Sequence, residues 1–243
     1  MDENEVRGSR VFEYQLRSSD TDFEGVVYFG AYLRMIRDIL HKLTDLPVVE
    51  VYSAYKKPLR IYEDESVKIE ITPSKQTKDE EVYEFKIYKQ SGELASEGRI
   101  RLAPYPENLQ KSEEEQALKK FRNKDRVMVY DTYYKGGVPF DALFRFFTNA
   151  ITEFRVKHKL TDFWFAVVEI QLAYIRPLKS FEEVTVELRP SRAGEKAMRF
   201  DVIILDKDEQ KVAQGHVTEV QLDKETWHAT VPDPKVLEAI ENP

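Results

Sequence analysis

The chain contains no cysteine, which excludes disulfides, thiol nucleophiles and thiolate metal sites. Histidine is scarce too: His41, His158, His216 and His228 are scattered, with no metal-ligand spacing among them. No apolar run approaches the roughly 20 residues that a membrane-spanning helix needs. The charged opening MDENEVRGSR does not read as a signal peptide. Basic residues are outnumbered, 37 Lys and Arg against 44 Asp and Glu, and the net charge of −7 argues against a general nucleic-acid binder. What the chain does have is apolar material. Its 243 residues are 42% hydrophobic and 12% aromatic, enough to pack one large domain or two small ones. The expectation is a cytoplasmic protein that uses no metal or separate cofactor and partners neither nucleic acid nor membrane.

The strongest internal signal is a duplication. SDTDFEGVVYFGAYLRMI, residues 19–36, aligns without gaps with YDTYYKGGVPFDALFRFF, residues 130–147. Asp20 falls on Asp131, Gly25 on Gly136, Phe29 on Phe140 and Arg34 on Arg145, an offset of 131 − 20 = 111. Further on, VVEVYSAYKKPL (48–59) matches VVEIQLAYIRPL (167–178) with Pro58 on Pro177, an offset of 119. VKIEITPSK then matches VTVELRPSR with Pro73 on Pro190, an offset of 117 that still holds at Gly98 and Gly215. Three blocks in one order, drifting only by loop length, indicate two copies of one unit.

Each copy carries the same succession of patterns. Phe12, Tyr14 and Leu16 alternate with polar residues, the mark of a strand with one buried face. Helical spacing follows at Tyr32, Leu33, Ile36, Ile39, Leu40 and Leu43. In the second copy it is found at Leu143, Phe144, Phe147, Ile151 and Phe154. Three strand signals come next, SVKIEITP, EVYEFKIYK and LASEGRIRLA in the first copy, with QSGE and DKDEQ as hairpin turns. The expected organisation is unit 1 over 1–105, a charged linker over 106–125, unit 2 over 126–224 and a tail over 225–243. In that tail Asp233 and Pro234 suit the cap and first turn of a short helix. A helix this apolar cannot lie on a surface, so the sheet must wrap around it. That is the α+β arrangement known as the hotdog, here in tandem.

With those residues in hand, DTDFEGVVYFGAYLRMI, AYKKPLRIYEDESVKIEI and GELASEGRIRL resemble the 4-hydroxybenzoyl-CoA thioesterase branch of the hotdog superfamily. The resemblance covers most of 10–103 and, more faintly, 126–222. It implies an acyl-CoA thioesterase, in which the second aspartate of the D-x-D segment, Asp22, is the catalytic carboxylate. It also implies that the backbone amide near Phe29, at the start of the central helix, polarises the thioester carbonyl. Acyl-CoA is then both the substrate and the expected binding partner, and a homodimer of double-hotdog chains is compatible with the resemblance.

The residues themselves agree with these roles. No Ser, Thr, Asp or Asn stands between Val26 and Ala31 to cap the first helix, so its amides and dipole are suited to an oxyanion. A carboxylate just upstream can attack an acyl carbon or activate a water. Gly25 supplies backbone freedom for the turn between them, and Gly25, Val26 and Tyr28 are expected to line the substrate. Asp20 persists as Asp131, whereas Asp22 becomes Tyr133. The shared aspartate therefore reads as structural and the single-copy one as functional. In the second copy Pro139 replaces Tyr28 and Asp141 is added, the signature of a capped, non-catalytic helix. Lys75, Lys78, Arg192 and Lys196, at matching strand ends, are candidates for the CoA phosphates, although each is also ordinary solubilising charge. Glu169 is a secondary carboxylate candidate, otherwise an edge-strand charge. Trp164 and Phe165 could line an acyl pocket or simply fill the core.

Two alternatives stay open. A non-catalytic acyl-CoA-binding hotdog could keep a loop aspartate. A hotdog hydratase or dehydratase would pair a His with an acid, and no His lies near the D-x-D segment in sequence.

Overall fold

The structure is a computed structural model that describes residues 8–22, 25–105, 119–132 and 138–243. Residues 106–118 of the expected linker, and Tyr133 and Gly136 of the second copy, lie outside the described residues. The chain divides into two compact units, Met1–Tyr105 and Pro106–Pro243.

The first unit opens with strand β1 (Arg10–Gln15) and a single 3-10 turn at Ser18–Asp20, then enters helix α1 (Phe29–Leu40). Four strands follow: β2 (Val48–Tyr55), β3 (Ser66–Gln76), β4 (Glu81–Tyr88) and β5 (Leu94–Leu102). Within this unit the antiparallel order is β1-β3-β4-β5-β2. One face of the sheet is apolar: Val67, Ile69 and Ile71 of β3, Phe85 and Ile87 of β4 and Ile100 of β5 are all buried. Helix α1 buries Ala31, Leu33, Met35 and Ile36 completely, and the seclusion of each of the three larger side chains contributes about 1.5–3 kcal/mol.

The second unit repeats this plan with β6 (Phe121–Arg126), helix α2 (Leu143–Lys157), β7 (Trp164–Tyr174), β8 (Glu183–Arg192), β9 (Ala197–Asp206) and β10 (Lys211–Leu222). Its order, β7-β10-β9-β8-β6, is that of the first unit strand for strand. Aromatic rings fill the space between helix and sheet. Phe154 meets Phe121 and Phe200 edge-to-face, with ring centroids 5.8 and 5.6 Å apart. A two-residue strand, β11 (Ala229–Thr230), pairs with β10, and helix α3 (Pro234–Glu241) closes the chain. Asp233 caps α3 by accepting the Lys235 amide at 2.9 Å.

Three expectations need correction. Each helix is followed by four strands rather than three, because VVEVYSAY and its counterpart form β2 and β7. Phe121–Arg126 is not linker but the copy of β1, 111 residues on. Its alternation is hidden because polar side chains occupy both faces; pairing with β8 and ion pairs from Lys120 and Arg122 to the buried Glu187 hold it instead. Finally, α2 is not better capped than α1. Pro139 cannot donate an amide, the chain turns through i→i+3 bonds from Pro139 to Arg145, and the helix starts at Leu143 without a side-chain cap. Asp141 thus precedes the helix.

Candidate functional site

Asp20 is wholly buried. Its carboxylate accepts the Arg17 amide at 2.8 Å and pairs with Arg34 of α1. The second unit repeats this: Asp131 accepts the Met128 amide at 2.7 Å and pairs with Arg145 at 2.6 Å. An aspartate bound to a helix arginine is therefore a fixture of the unit, tying the approach chain to its helix.

Asp22 sits differently. It is exposed in a short loop, next to the Thr21–Val27 bridge that closes it. The Asp22 carboxylate accepts the Val26 amide at 3.0 Å, while the Asp22 amide donates to the Val26 carbonyl at 2.9 Å. Gly25 donates to the Asp22 carbonyl at 3.1 Å and takes φ of 76°. A side chain there would be strained, and its Cβ would lie 2.5 Å from the Tyr62 ring, which covers the loop. Gly25 and Val26 thus spend their backbone groups on shaping the loop. The Tyr28 amide is likewise engaged, donating to the Asp20 carbonyl at 3.1 Å. Tyr28 turns its ring outward, where its hydroxyl accepts from Arg34 at 3.1 Å. Phe29 then opens α1, whose start has no side-chain cap. The loop bearing Asp22 leads straight into that helix start.

Beneath the helix start lie hydroxyls that sequence patterns did not flag. Tyr55, on β2, donates to the Phe29 carbonyl at 3.1 Å, and Tyr32, on α1, accepts the Leu59 amide at 3.0 Å. The two rings meet edge-to-face at 5.0 Å. Burial pushes the pKa of both hydroxyls up, so both remain protonated at neutral pH. Ser53 and Ser96 continue the polar group with a 3.0 Å hydrogen bond, and Ser96 reaches the Ala54 carbonyl at 3.0 Å. In the second unit the counterparts of Tyr32, Ser53 and Ser96 are Leu143, Leu172 and Ala213, all buried and apolar. There the remaining tyrosine, Tyr174, does both jobs alone, accepting the Leu178 amide at 3.0 Å and donating to the Val138 carbonyl at 2.8 Å. Presence in one copy alone, the criterion that singled out Asp22, would also have found Tyr32 and both serines.

This exchange of partners makes a stability prediction. Tyr32→Phe strands a buried Leu59 amide and is expected to cost about 1–3 kcal/mol. Tyr55→Phe removes a bond to a carbonyl, at about 0.5–1.5 kcal/mol. Chemical denaturation separates the two, and a Tyr32→Phe protein as stable as the parent would refute the assignment of the Leu59 bond.

The remaining sequence candidates are dispersed. Lys75 lies next to the end of β3 and pairs with Glu80; Lys78 is exposed in the following turn. Arg192 ends β8, and Lys196 donates to the Ala229 carbonyl at 3.1 Å. Glu169, on β7, bonds to His216 of β10 at 2.9 Å. Trp164 packs on Trp227, and Phe165 lies under the Arg155 guanidinium, so both are structural neighbours of the tail and helix. Among the described residues no cluster of His, Asp and Glu could hold a metal, and no helix is long and apolar enough to cross a membrane.

Comparison with known proteins bears on the fold. Residues 127–240 match the Thioesterase-like superfamily, so the match falls on the copy whose resemblance is fainter by eye. Several solved structures match nearly the whole chain. A putative oleoyl thioesterase from Lactobacillus plantarum aligns with a TM-score of 0.71 at 12% identity, over 90% of this chain and 98% of that one. The protein has the double-hotdog fold. The 12:0-ACP thioesterase of Umbellularia californica aligns with a TM-score of 0.67 at 10% identity, over 88% of this double hotdog and 94% of the plant chain. The tesB protein of Mycobacterium avium subs paratuberculosis gives 0.63 at 8% identity, over 91% and 95%. At such identities these likenesses speak for the fold. No curated protein matches the double hotdog in sequence.

Proposed function

We propose that this double hotdog hydrolyses an acyl thioester, an acyl-CoA, to the free acid and the thiol, at a site in the first unit. The observation that carries the reading is the loop-borne carboxylate of Asp22 leading into the uncapped start of α1. A thioester carbonyl placed over that helix start would meet amides and a positive dipole end, which stabilise the oxyanion of the tetrahedral intermediate. Asp22 has two available roles. As a general base it takes a proton from water; the water oxygen bonds to the acyl carbon, the C–S bond breaks and the proton returns to the departing thiolate. As a nucleophile it bonds to the acyl carbon and expels the thiolate, and water then cleaves the resulting anhydride. The hydroxyls of Tyr32, Ser53 and Ser96 under α1, which have no counterpart in the second copy, support placing the chemistry in the copy that keeps Asp22. The match to the Thioesterase-like superfamily and the likeness to thioesterase structures support the reaction class. The acyl-ACP thioesterase of Bacteroides thetaiotaomicron and the plant 12:0-ACP enzyme favour acyl carrier protein as the second reading for the carrier.

The test is thiol release from a panel of acyl-CoAs and from acyl carrier protein charged with the same acyl groups. Turnover of the CoA esters supports the proposal, and inertness toward both carriers overturns it. Lys78 is the first unit's candidate for the CoA phosphates, since Lys75 has a protein partner. Lys78→Ala is expected to raise KM several-fold with kcat little changed, because ground and transition states share that contact. Steady-state kinetics at two salt concentrations check this, as the effect should shrink when salt rises.

A further inference from the structure

One group of polar side chains that the proposed reaction leaves unused gathers on the second unit. Glu169, Gln171 and Ala173 of β7 project to the face of the sheet opposite the one that buries Ile170, Leu172 and Tyr174. On that outer face a groove of about 420 Å³ is lined by Arg189 of β8, Arg199 and Asp201 of β9, and Lys211, Gln214 and His216 of β10. Strand register explains the convergence. Arg189 stands opposite Asp201, and Asp201 stands opposite His216, so the three form a row across β8, β9 and β10. Arg199, two residues from Asp201 on the same face, is steadied by it at 2.7 Å. His216 is 7% exposed, its Nε2 fixed on Glu169 at 2.9 Å.

The charge balance is the unusual feature. The chain as a whole carries −7, yet three cations and one carboxylate line this groove. Arg189 reaches Glu187 at 3.6 Å, but Glu187 already receives Lys120 at 3.0 Å and Arg122. Among the described residues Lys211 forms no ion pair. Asp201 and Glu187 compensate Arg199 and Arg189 in part, and a bound polyanion would add charge-assisted hydrogen bonds to Lys211 and to the two guanidinium groups. The volume suits a small ligand rather than a lone ion, and Ile203 adds apolar surface beside the cations.

We propose that this groove binds a phosphorylated small molecule of the nucleoside diphosphate class, independently of Asp22. Calorimetric titration of the full chain with ADP, and separately with inorganic pyrophosphate, tests it at low salt. The expected result is saturable one-to-one binding of either anion, weakened about tenfold or more by Lys211→Glu and by Arg199→Gln. Tighter binding of ADP would show that the base contributes, and equal binding that the diphosphate suffices; both support the site. Lys78→Ala in the first unit, and Asp22→Asn, should leave the affinity unchanged, so a failed thioesterase assay and a failed anion site are separately visible. Melting temperatures confirm that the charge variants remain folded. Absence of saturable binding of both anions, or binding that Lys211→Glu and Arg199→Gln leave intact, overturns the proposal.

Discussion

Asp22→Asn is expected to lower kcat for thioester hydrolysis by about 10²-fold or more while leaving the melting temperature close to that of the parent. The amide oxygen of the variant can still accept the Val26 amide, now at 3.0 Å from the carboxylate, so the loop keeps its closing bond. What it loses is the ability to take a proton or attack an acyl carbon. Asp20→Asn and Asp131→Asn should do the opposite. Each strips charge from a buried pair with Arg34 or Arg145, and a loss of about 3 kcal/mol is expected. Because the two aspartates occupy matching places, their effects on stability should be alike. Measuring turnover and melting for all three variants separates chemistry from architecture. Near-normal turnover by Asp22→Asn would sink the mechanism, and would shift the reading toward an acyl-CoA-binding module.

The second large effect concerns the paired glycines. An added Cβ at Gly98 would lie 2.1 Å from the Tyr52 carbonyl oxygen and 2.5 Å from the Phe85 ring. At Gly215 it would lie 2.0 Å from the Gln171 carbonyl oxygen. Both glycines sit on the fourth strand after the helix in their units, β5 and β10, each beside the strand that directly follows the helix. Since the obstacle is neighbouring backbone rather than a flexible side chain, the strands themselves must move. Gly98→Ala and Gly215→Ala are each expected to cost about 3 kcal/mol or more. Gly92→Ala is the control: its φ is 89°, but nothing lies within 4 Å, and a cost of about 1–2 kcal/mol is expected. Denaturation of the three variants checks the ranking. If Gly98→Ala is no worse than Gly92→Ala, the close strand approach is not a constraint on the fold.

Much of this was legible in the chain before folding was considered. Gapless matching of two segments, together with the shared Gly98 and Gly215, is a property of residue order. So is the apolar stripe of α1, because helical periodicity needs no knowledge of partners. The uncapped helix start could be read from the absence of Ser, Thr, Asp and Asn between Val26 and Ala31, and no side chain caps it. Strand β6 could not be read that way. Its residues are polar on both faces, and pairing with β8 and ion pairs to Glu187 keep it in the sheet.

The division follows from the range of the forces involved. Periodicity, capping and duplication are local or self-referential, so residue types and spacing by themselves determined the tandem units, their helices and the D-x-D loop. Partner choice among polar groups depends on which strands become neighbours. Tyr55 could release the Leu59 amide only because Tyr32 arrived on the facing helix, 27 residues earlier in the chain than Leu59. Glu169 met His216 across 47 residues because β7 lies beside β10, which places that acid on the outer face of the second sheet. Arg189, Arg199 and Lys211 are unremarkable surface charges in sequence. Tertiary structure alone decided that they share one groove, since hydrogen-bonded register sets which side chains stand abreast on a sheet.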